Sequence, residues 1–277
     1  MRTEQGANMD EYSTAVTGIG MGESARWHDG RFWFADWIAG TISVRESNGE
    51  VIVVTAVPSF PISFDWLPDG RMLIVSGREG QLLVLDNKIL RPYCDLRPIS
   101  EFPWNELVVD SFGNAYVNNV GYQFPGPAQV TGLIARVAPD GVATWLAAGL
   151  AFPNGMVLTP DGRTLIVGES HAGSLTAFDI QPDGSVVNRR IWATLPESAP
   201  DGMCWGENGA IWFADVPNRH CVLIAEGGTV IDTAEFDAAC FACASSDDTL
   251  FSMTANWPLS FDPSSPRSGE VRTVSIK

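Results

Sequence analysis

The stretch NGMVLTPDGRTLIVGES, residues 154–170, contains two short apolar segments separated by a tight turn. In the turn Pro160-Asp161-Gly162, proline presets φ for the first turn position and Asp-Gly supplies a residue that tolerates positive φ. The apolar segments are too short for amphipathic helices and have the length of strands. The stretch therefore predicts a β-hairpin.

The same hairpin pattern recurs five more times along the chain. The other copies begin at Glu23, Ser63, Asn105, Asp201 and, more weakly, Cys240. Each copy is followed by a third apolar strand, such as LTAFDI, and many continue into a fourth, such as EVIVVT. Four short strands repeated every ~40–50 residues are typical of propeller blades.

Six such units fill residues 23–277 and predict an all-β fold, a six-bladed β-propeller with four antiparallel strands per blade. The sixth unit has only three strands of its own, around Cys240, Leu250 and Val271. We expect an N-terminal strand, the segment YSTAVTG from Tyr12, to close the ring, because closure removes an exposed edge. No linker divides the chain, so residues 1–277 are expected to form one domain, with residues 1–11 disordered or loosely attached.

The composition limits the partners of this protein. Its 17 Lys and Arg residues against 33 Asp and Glu residues give a formal net charge of -16, which disfavours nucleic acid and anionic membrane surfaces. No apolar run is long enough to span a membrane, and the N-terminus lacks the features of a signal peptide. We therefore expect a cytoplasmic protein that acts on a small molecule. The sequence does not indicate an oligomeric state.

Polar residues recur at equivalent positions of the hairpins. In each blade the first strand begins and the second strand ends at the same end of the hairpin, so a radial arrangement brings these ends to one mouth of the central channel. Asn and Asp are depleted in strands, and a buried cluster of them needs a partner. The first-strand positions are Glu23, Ser63, Asn105, Asn154, Asp201 and Cys240, and the second-strand positions are Asp36, Gly77, Asn119, Glu169 and Asp215.

These side chains predict one divalent cation at the channel mouth. Carboxylate and amide oxygens suit calcium or magnesium, and calcium accepts a loose oxygen set together with water. Calcium is the expected ion, with zinc, manganese and magnesium as alternatives. A single Asn or Asp is more often a turn residue than a ligand, but recurrence at one repeat position favours a metal site.

Asp201 differs from the other aspartates found in PDG triplets. In the fifth blade, the turn between the two inner strands is already formed by Glu207-Asn208-Gly209, so Asp201 stands before the first strand, at the position of Asn154 in the fourth blade. The repeat register therefore makes Asp201 a candidate ligand. The five triplets begin at Pro68, Pro139, Pro160, Pro182 and Pro200.

Four sequence blocks resemble the family of SMP-30/gluconolactonase/regucalcin-like six-bladed propellers. They follow in that family's order and spacing between Gly22 and about Trp257. The resemblance implies a single divalent ion and hydrolysis of lactones, commonly sugar lactones, while some relatives cleave organophosphates. The blocks are GESARWHDGRFWFADW (Gly22–Trp37), PWNELVVDSFGNAYV (Pro103–Val117), FPNGMVLTPDGRTLIVGES (Phe152–Ser170) and PDGMCWGENGAIWFAD (Pro200–Asp215).

The resemblance also implies roles for particular residues. The metal ligands of the family fall on Glu23, Asn154 and Asp201. Asn105 falls on the asparagine that binds substrate or a coordinated water and that in some relatives reaches the metal. Sugar-lactone members have Arg-x-Asn-Asp in the third-blade block, whereas residues 103–106 here are PWNE. The missing arginine argues against a gluconolactone-like substrate.

Aromatic residues at or near the predicted mouth loops favour a flatter or more apolar ligand. Propellers also use tryptophan to pack between blades, so both interpretations stay open at this stage. The residues are Trp37, Trp66, Trp104, Tyr122, Phe124 and Trp257.

The predicted function is a metal-dependent hydrolase that opens a lactone or related ester with metal-activated water. We expect Asp201 to serve as ligand and general base, with Asp215 or Glu169 as alternative bases, because clustered carboxylates raise one pKa. Asn105 is the second expected catalytic residue and would orient water or substrate. The expected substrate-binding residues are Trp37, Trp104, Asn119, Glu169, His171 and Asp215.

Two alternatives use the same site. One is a phosphotriesterase-like enzyme, or a ring-opening or isomerising biosynthetic enzyme, with the same cation as electrophile. The other is a non-catalytic calcium-binding propeller. The number of acidic residues predicted at the mouth exceeds what one ion needs, which favours chemistry over a scaffold.

Overall fold

The computed structural model describes residues 12–123, 126, 131–258 and 266–277. These residues form six four-stranded antiparallel sheets, which confirms the predicted six-bladed β-propeller. The chain begins with β1 (Ser13–Ile19), and the first three blades contain β2 (Gly22–His28), β3 (Arg31–Asp36), β4 (Thr41–Arg45), β5 (Val51–Ala56), β6 (Ile62–Trp66), β7 (Met72–Ser76), β8 (Gln81–Asp86), β9 (Ile89–Asp95), β10 (Trp104–Val109), β11 (Ala115–Asn119), β12 (Gly132–Val137) and β13 (Ala143–Leu150).

The last three blades follow the same plan. In the described ranges, the helical structure is limited to one short 3-10 turn, Glu207–Gly209, and no helix is long and apolar enough to cross a membrane. The strands are β14 (Pro153–Leu158), β15 (Thr164–Glu169), β16 (Ser174–Ile180), β17 (Val186–Thr194), β18 (Pro200–Trp205), β19 (Ile211–Asp215), β20 (His220–Ile224), β21 (Val230–Glu235), β22 (Ala239–Ser245), β23 (Thr249–Ala255) and β24 (Gly269–Ser275).

The ring closes through the N-terminal strand, as the sequence predicts. Strand β1 pairs antiparallel with β24, with Ser13 opposite Thr273 and Ile19 opposite Gly269. The sixth blade therefore has the order β1-β24-β23-β22 and joins the two ends of the described chain. This pairing covers the outer edge that β24 would otherwise expose. Residues 1–11, which were expected to be disordered or loosely attached, lie outside the described residues.

The hydrophobic core is divided among the interfaces between neighbouring blades. Each of the six interfaces contains its own cluster of buried apolar side chains from the two facing sheets. Between the second and third blades, for example, Leu73 and Val75 pack near Leu107 and Val117. Because each sheet is covered on both faces, its strands consist of nearly continuous runs of apolar residues.

The inner strands of the blades surround the central channel and contact their neighbours. Two glycines permit this close approach. A Cβ atom on Gly155 would lie 2.3 Å from the backbone oxygen of Asp201, and one on Gly202 would lie 2.6 Å from the Cβ of Ala242. Any side chain at these positions would push the inner strands of the last three blades apart.

Candidate functional site

A β-bulge interrupts the inner hairpin beside each predicted ligand position. In the third blade, Asn105 and Glu106 together face Asn118, because the pairing skips one residue. Asn154 and Asp201 begin equivalent bulges in the fourth and fifth blades, and the first blade has one directly after its ligand position. Bulges re-aim side chains and are common next to active sites. The second blade pairs without a shift and contributes no predicted ligand.

The bulged residues meet in a cavity of about 220 Å³ at one end of the channel. Glu23, Asn105, Asn154 and Asp201 all line it, and we call this end the upper mouth. Glu23 and Asp201 are only 4% and 8% exposed. Four residues far apart in sequence are thus brought together, as the repeat register predicts.

Asn154 occupies the centre of a hydrogen-bond chain across the mouth. Its Oδ1 accepts from Asn105 Nδ2 at 3.3 Å, and its side chain is hydrogen-bonded to Asp201. Its Nδ2 donates to Ser170 Oγ at 3.4 Å, and Ser170 Oγ in turn donates to the Pro200 carbonyl oxygen at 2.7 Å. The chain links the third, fourth and fifth blades and orients the amide before any ligand arrives.

The carboxyl groups of Glu23 and Asp201 have no ion-pair partner among the residues that the structure describes. Burial raises the pKa of Glu23 well above its usual value, and the charges of Asp201 and Glu106 raise it further. Burial and then the charge of Glu106 likewise raise the pKa of Asp201. No described Lys or Arg forms an ion pair with Glu23 or Asp201, and Asp201 Oδ1 is buried without a hydrogen-bond partner.

These features fit a bound cation. Buried acids that repel one another ionise readily only when a positive charge joins them, and an oxygen with no donor is free to coordinate. In the described part of the chain, no three His, Cys, Asp or Glu side chains form a group that could hold a metal. The predicted ligand set contains only two side chains of these types, the carboxylates Glu23 and Asp201. Its third member, Asn154, supplies an amide oxygen.

Glu106 is a buried acid of the channel that the sequence reasoning missed. Its Oε1 accepts from Arg26 Nη2 at 2.9 Å, from the Leu107 N–H at 3.0 Å and from the Ser63 hydroxyl. The sequence feature that could have indicated it is Arg26, because a basic residue in an inner strand whose first four residues are buried requires an acid nearby. Glu106 has its own cation in Arg26, unlike the other two acids.

The polar residues at the ends of the second strands hold loops in place. Asp36 accepts from the N–H groups of Gly20 and Ile38 at 2.9 and 3.1 Å. Asn119 Nδ2 donates to the Phe102 carbonyl oxygen at 2.7 Å. Each thereby fixes the segment that enters the first strand of its own blade.

Glu169 and Asp215 do the same in the next two blades. Glu169 accepts from the Ala151 N–H at 2.7 Å, and Asp215 accepts from the Ala199 N–H at 3.1 Å. Neither these two nor Asn119 lies in the cavity lining among the described residues. Their expected contact with substrate stays a prediction, and the structure gives them anchoring contacts instead.

The aromatic residues separate into two groups. Trp37 and Trp257 line the cavity, whereas Trp104 is fully buried between the second and third blades. Trp66 stacks on His28 at 3.8 Å between ring centroids, at the hairpin-turn end of the blades. Tyr122 is buried beside Phe152, and Phe124 lies outside the described residues.

His171 lines the cavity on the side of the fourth blade. Its ring lies 4.7 Å from the Phe152 ring, and burial lowers its pKa below the usual value. The imidazole is therefore neutral at neutral pH and can donate or accept one hydrogen bond. Of the six expected substrate-binding residues, His171 and Trp37 are the two that the structure places on the cavity surface.

The chain belongs to the SMP-30/gluconolactonase/LRE-like family, whose model matches residues 21–256. An L-arabinolactonase from Azospirillum brasilense is 28% identical over 99 residues, a segment covering 35% of this chain and 33% of that protein. The match thus spans about a third of the relative's length. The family assignment agrees with the resemblance that the four sequence blocks show.

Solved structures share the fold at low sequence identity. A calcium-binding protein, regucalcin, from Agrobacterium tumefaciens strain C58 superimposes with a TM-score of 0.80 at 18% identity, covering 96% of this chain and 93% of that one. A gluconolactonase from Xanthomonas campestris gives a TM-score of 0.76 at 17% identity, covering 95% and 89%. At these identities the likeness supports the propeller fold alone.

Proposed function

We propose that this protein is a divalent-metal-dependent hydrolase that opens a lactone or a related ester at the upper mouth. The observation that carries the proposal is the buried pair Glu23 and Asp201, which share a cavity with Asn154 and have no basic partner among the described residues. Family membership and the lactonase relative support the reaction class.

Glu23, Asn154 and Asp201 would hold the cation, and calcium suits their oxygen donors best. When bound, a divalent cation polarises a substrate carbonyl and stabilises the negative charge that develops on its oxygen. Asn154 is held in a fixed orientation by Asn105 and Ser170.

Asp201 is the proposed general base. Its buried Oδ1 has no donor, and the Asp201 carboxylate would accept the proton that an attacking water releases beside the bound cation. Asn105 lines the same cavity, and its amide would orient that water or the substrate carbonyl. The neutral imidazole of His171 is the second candidate for substrate contact.

A calcium-binding propeller without catalysis is the second candidate, favoured by the likeness to a structure described as calcium-binding. The apolar cavity beside the predicted ligands favours catalysis, because a structural ion needs no space for a second ligand. A phosphotriesterase-like or an isomerising enzyme would use the same ion and is distinguished by its substrate. A cytoplasmic location and the lack of nucleic-acid or membrane partners stay predictions from composition.

The test is a panel of lactones, aryl esters and phosphotriesters, assayed before and after chelation and after adding back calcium, zinc, manganese or magnesium. We expect lactone hydrolysis that chelation abolishes and one ion restores. Asn105→Ala should lower turnover while retaining the ion. Bound calcium without turnover of any panel member would support the scaffold instead, and turnover that is unaffected by chelation would refute the metal hydrolase.

A further inference from the structure

We infer that the substrate carries an apolar alkyl or aryl substituent and is not a polyhydroxylated sugar lactone. This inference rests on the proposed function for the reacting lactone or ester group. The aromatic residues of the sequence allowed two interpretations, an apolar ligand or packing between blades. The structure adds where the cavity wall comes from and which of its polar groups are already in use.

Three apolar residues of the cavity rim share one repeat position. Trp37, Val120 and Val216 directly follow the strand ends of the first, third and fifth blades, and all three line the cavity. The residues before them are Asp36, Asn119 and Asp215, the side chains that anchor the loops. In these three blades a polar anchor is followed by an apolar lining residue, whereas in the fourth blade Glu169 is followed by Ser170.

The sixth blade extends this rim with two aromatic rings. Phe241 is the extra residue of that blade's own bulge, and its ring centroid lies 5.9 Å from that of Trp257. Trp37 closes the first-blade side, and its indole N–H is already bonded to the Ile62 carbonyl oxygen at 2.6 Å. Trp37 thus has no free donor, and the two rings of the sixth blade add only weakly polar surface.

Glu23 and Asp201 would hold the cation and His171 offers one hydrogen bond, so the other polar groups of the described lining decide how many sugar hydroxyls the cavity can bind. The Asn105 and Asn154 amides are bonded to each other, and the Ser170 hydroxyl donates to a backbone oxygen. No Lys or Arg is found among the described lining residues. A sugar lactone would lose its bonds to water on entry and find too few replacements, which costs affinity for each unpaired hydroxyl.

The closing experiment uses five-membered lactones with methyl, propyl or pentyl substituents, compared with glucono-δ-lactone, on calcium-loaded protein. Each added methylene buried against the rim should raise kcat/KM up to about fourfold. Glucono-δ-lactone should be hydrolysed more slowly than the pentyl lactone. A flat response to chain length, or faster hydrolysis of glucono-δ-lactone, would overturn the inference while leaving the proposed function intact.

A tryptophan variant locates the effect at the rim. Trp257→Ala should lower kcat/KM for the pentyl lactone at least about fivefold more than for the methyl lactone, because only the longer chain reaches the indole. Trp145→Ala is the matched control, since this tryptophan is 54% exposed against 57% for Trp257 but lies on the outer strand β13. Equal losses on both substrates would contradict the assignment of Trp257 to substrate contact.

Binding of lactams separates this inference from the proposed function. The methyl- and pentyl-substituted lactams resemble the lactones but resist hydrolysis, so calorimetry measures their affinity without turnover. Tighter binding of the pentyl lactam with no hydrolysis of any lactone would support the apolar cavity and refute the hydrolase. Equal, weak binding of both lactams together with active hydrolysis would refute the apolar cavity.

Discussion

The two ends of the central channel hold acidic side chains in opposite electrostatic settings. The end opposite the upper mouth, which we call the lower mouth, contains Arg26, Asp65 and Trp205 around a larger cavity of about 290 Å³. There Asp65 accepts from the Val109 N–H at 2.8 Å, and Arg26 pairs with Glu106. At the upper mouth, no described Lys or Arg forms an ion pair with Glu23 or Asp201. Uncompensated charge, and not cavity size, therefore distinguishes the candidate site.

The first prediction removes one of the uncompensated acids. Asp201→Asn keeps the shape of the side chain but deletes a charged ligand. Calcium affinity and lactone hydrolysis should each fall at least about 100-fold, more than the loss of an outer-shell partner usually costs. Calorimetry and turnover assays measure both. Asp161→Asn, in the exposed turn of the fourth blade, is the control and should change neither.

The second prediction converts a compensated acid into an uncompensated one. Arg26→Met leaves Glu106 buried without its cation, so the free energy of unfolding should fall by ~3–5 kcal/mol. Urea denaturation measures the change. The double variant Arg26→Met/Glu106→Gln should recover most of the loss, because the side chain at position 106 then carries no charge. A loss below ~1 kcal/mol for the single variant would show that Glu106 is not held by Arg26.

The third prediction tests the packing that brings the ligands together. Gly155→Ala places a methyl group 2.3 Å from the Asp201 backbone oxygen, so the free energy of unfolding should fall by ~1–3 kcal/mol. Calcium affinity should fall as well, because Asp201 is displaced. Gly168→Ala is the matched control in the opposite strand, since its Cβ would meet its nearest neighbour at an ordinary 3.5 Å. Equal effects of the two variants would contradict this account.

The fourth prediction concerns an anchored acid and its pH dependence. Although burial alone would raise it, hydrogen bonds from His220 and Asn218 hold the pKa of Asp215 below its usual value. Asp215 therefore stabilises the fold above the usual carboxyl pKa of ~3.9, and this contribution is lost as pH falls through the lower folded value. Asp215→Asn should cost ~1 kcal/mol near neutral pH and less in acid. A pH-independent difference in unfolding free energy would contradict this assignment.

The fold was predictable because the repeat is strong and every blade obeys the same constraints. Hairpin turns and apolar runs predicted the six blades. The sixth unit had only three strands of its own, the last around Val271, and this pointed to the segment from Tyr12 as the fourth. The register also gave the grouping of Glu23, Asn154 and Asp201, because equivalent positions of a radial repeat must meet at one end of the channel.

The rest of the site depends on side-chain direction, which the repeat does not specify. A bulge places Asn105 in the cavity and Glu106 within reach of Arg26, although a regular strand would point such neighbours to opposite faces. Asp215 and Glu169 end their strands at the mouth, as expected, but turn to the backbone of incoming loops. A sequence position fixes which end of a strand a residue occupies, not what its side chain contacts.

The metal content of the purified protein tests the central claim most directly. After exchange into calcium-containing buffer and removal of free ion, elemental analysis should find one divalent ion per wild-type chain. The double variant Glu23→Gln/Asp201→Asn, if correctly folded by circular dichroism, should contain none. A wild-type chain without bound metal that hydrolyses lactones at full rate, or a double variant that retains its ion, would contradict the account.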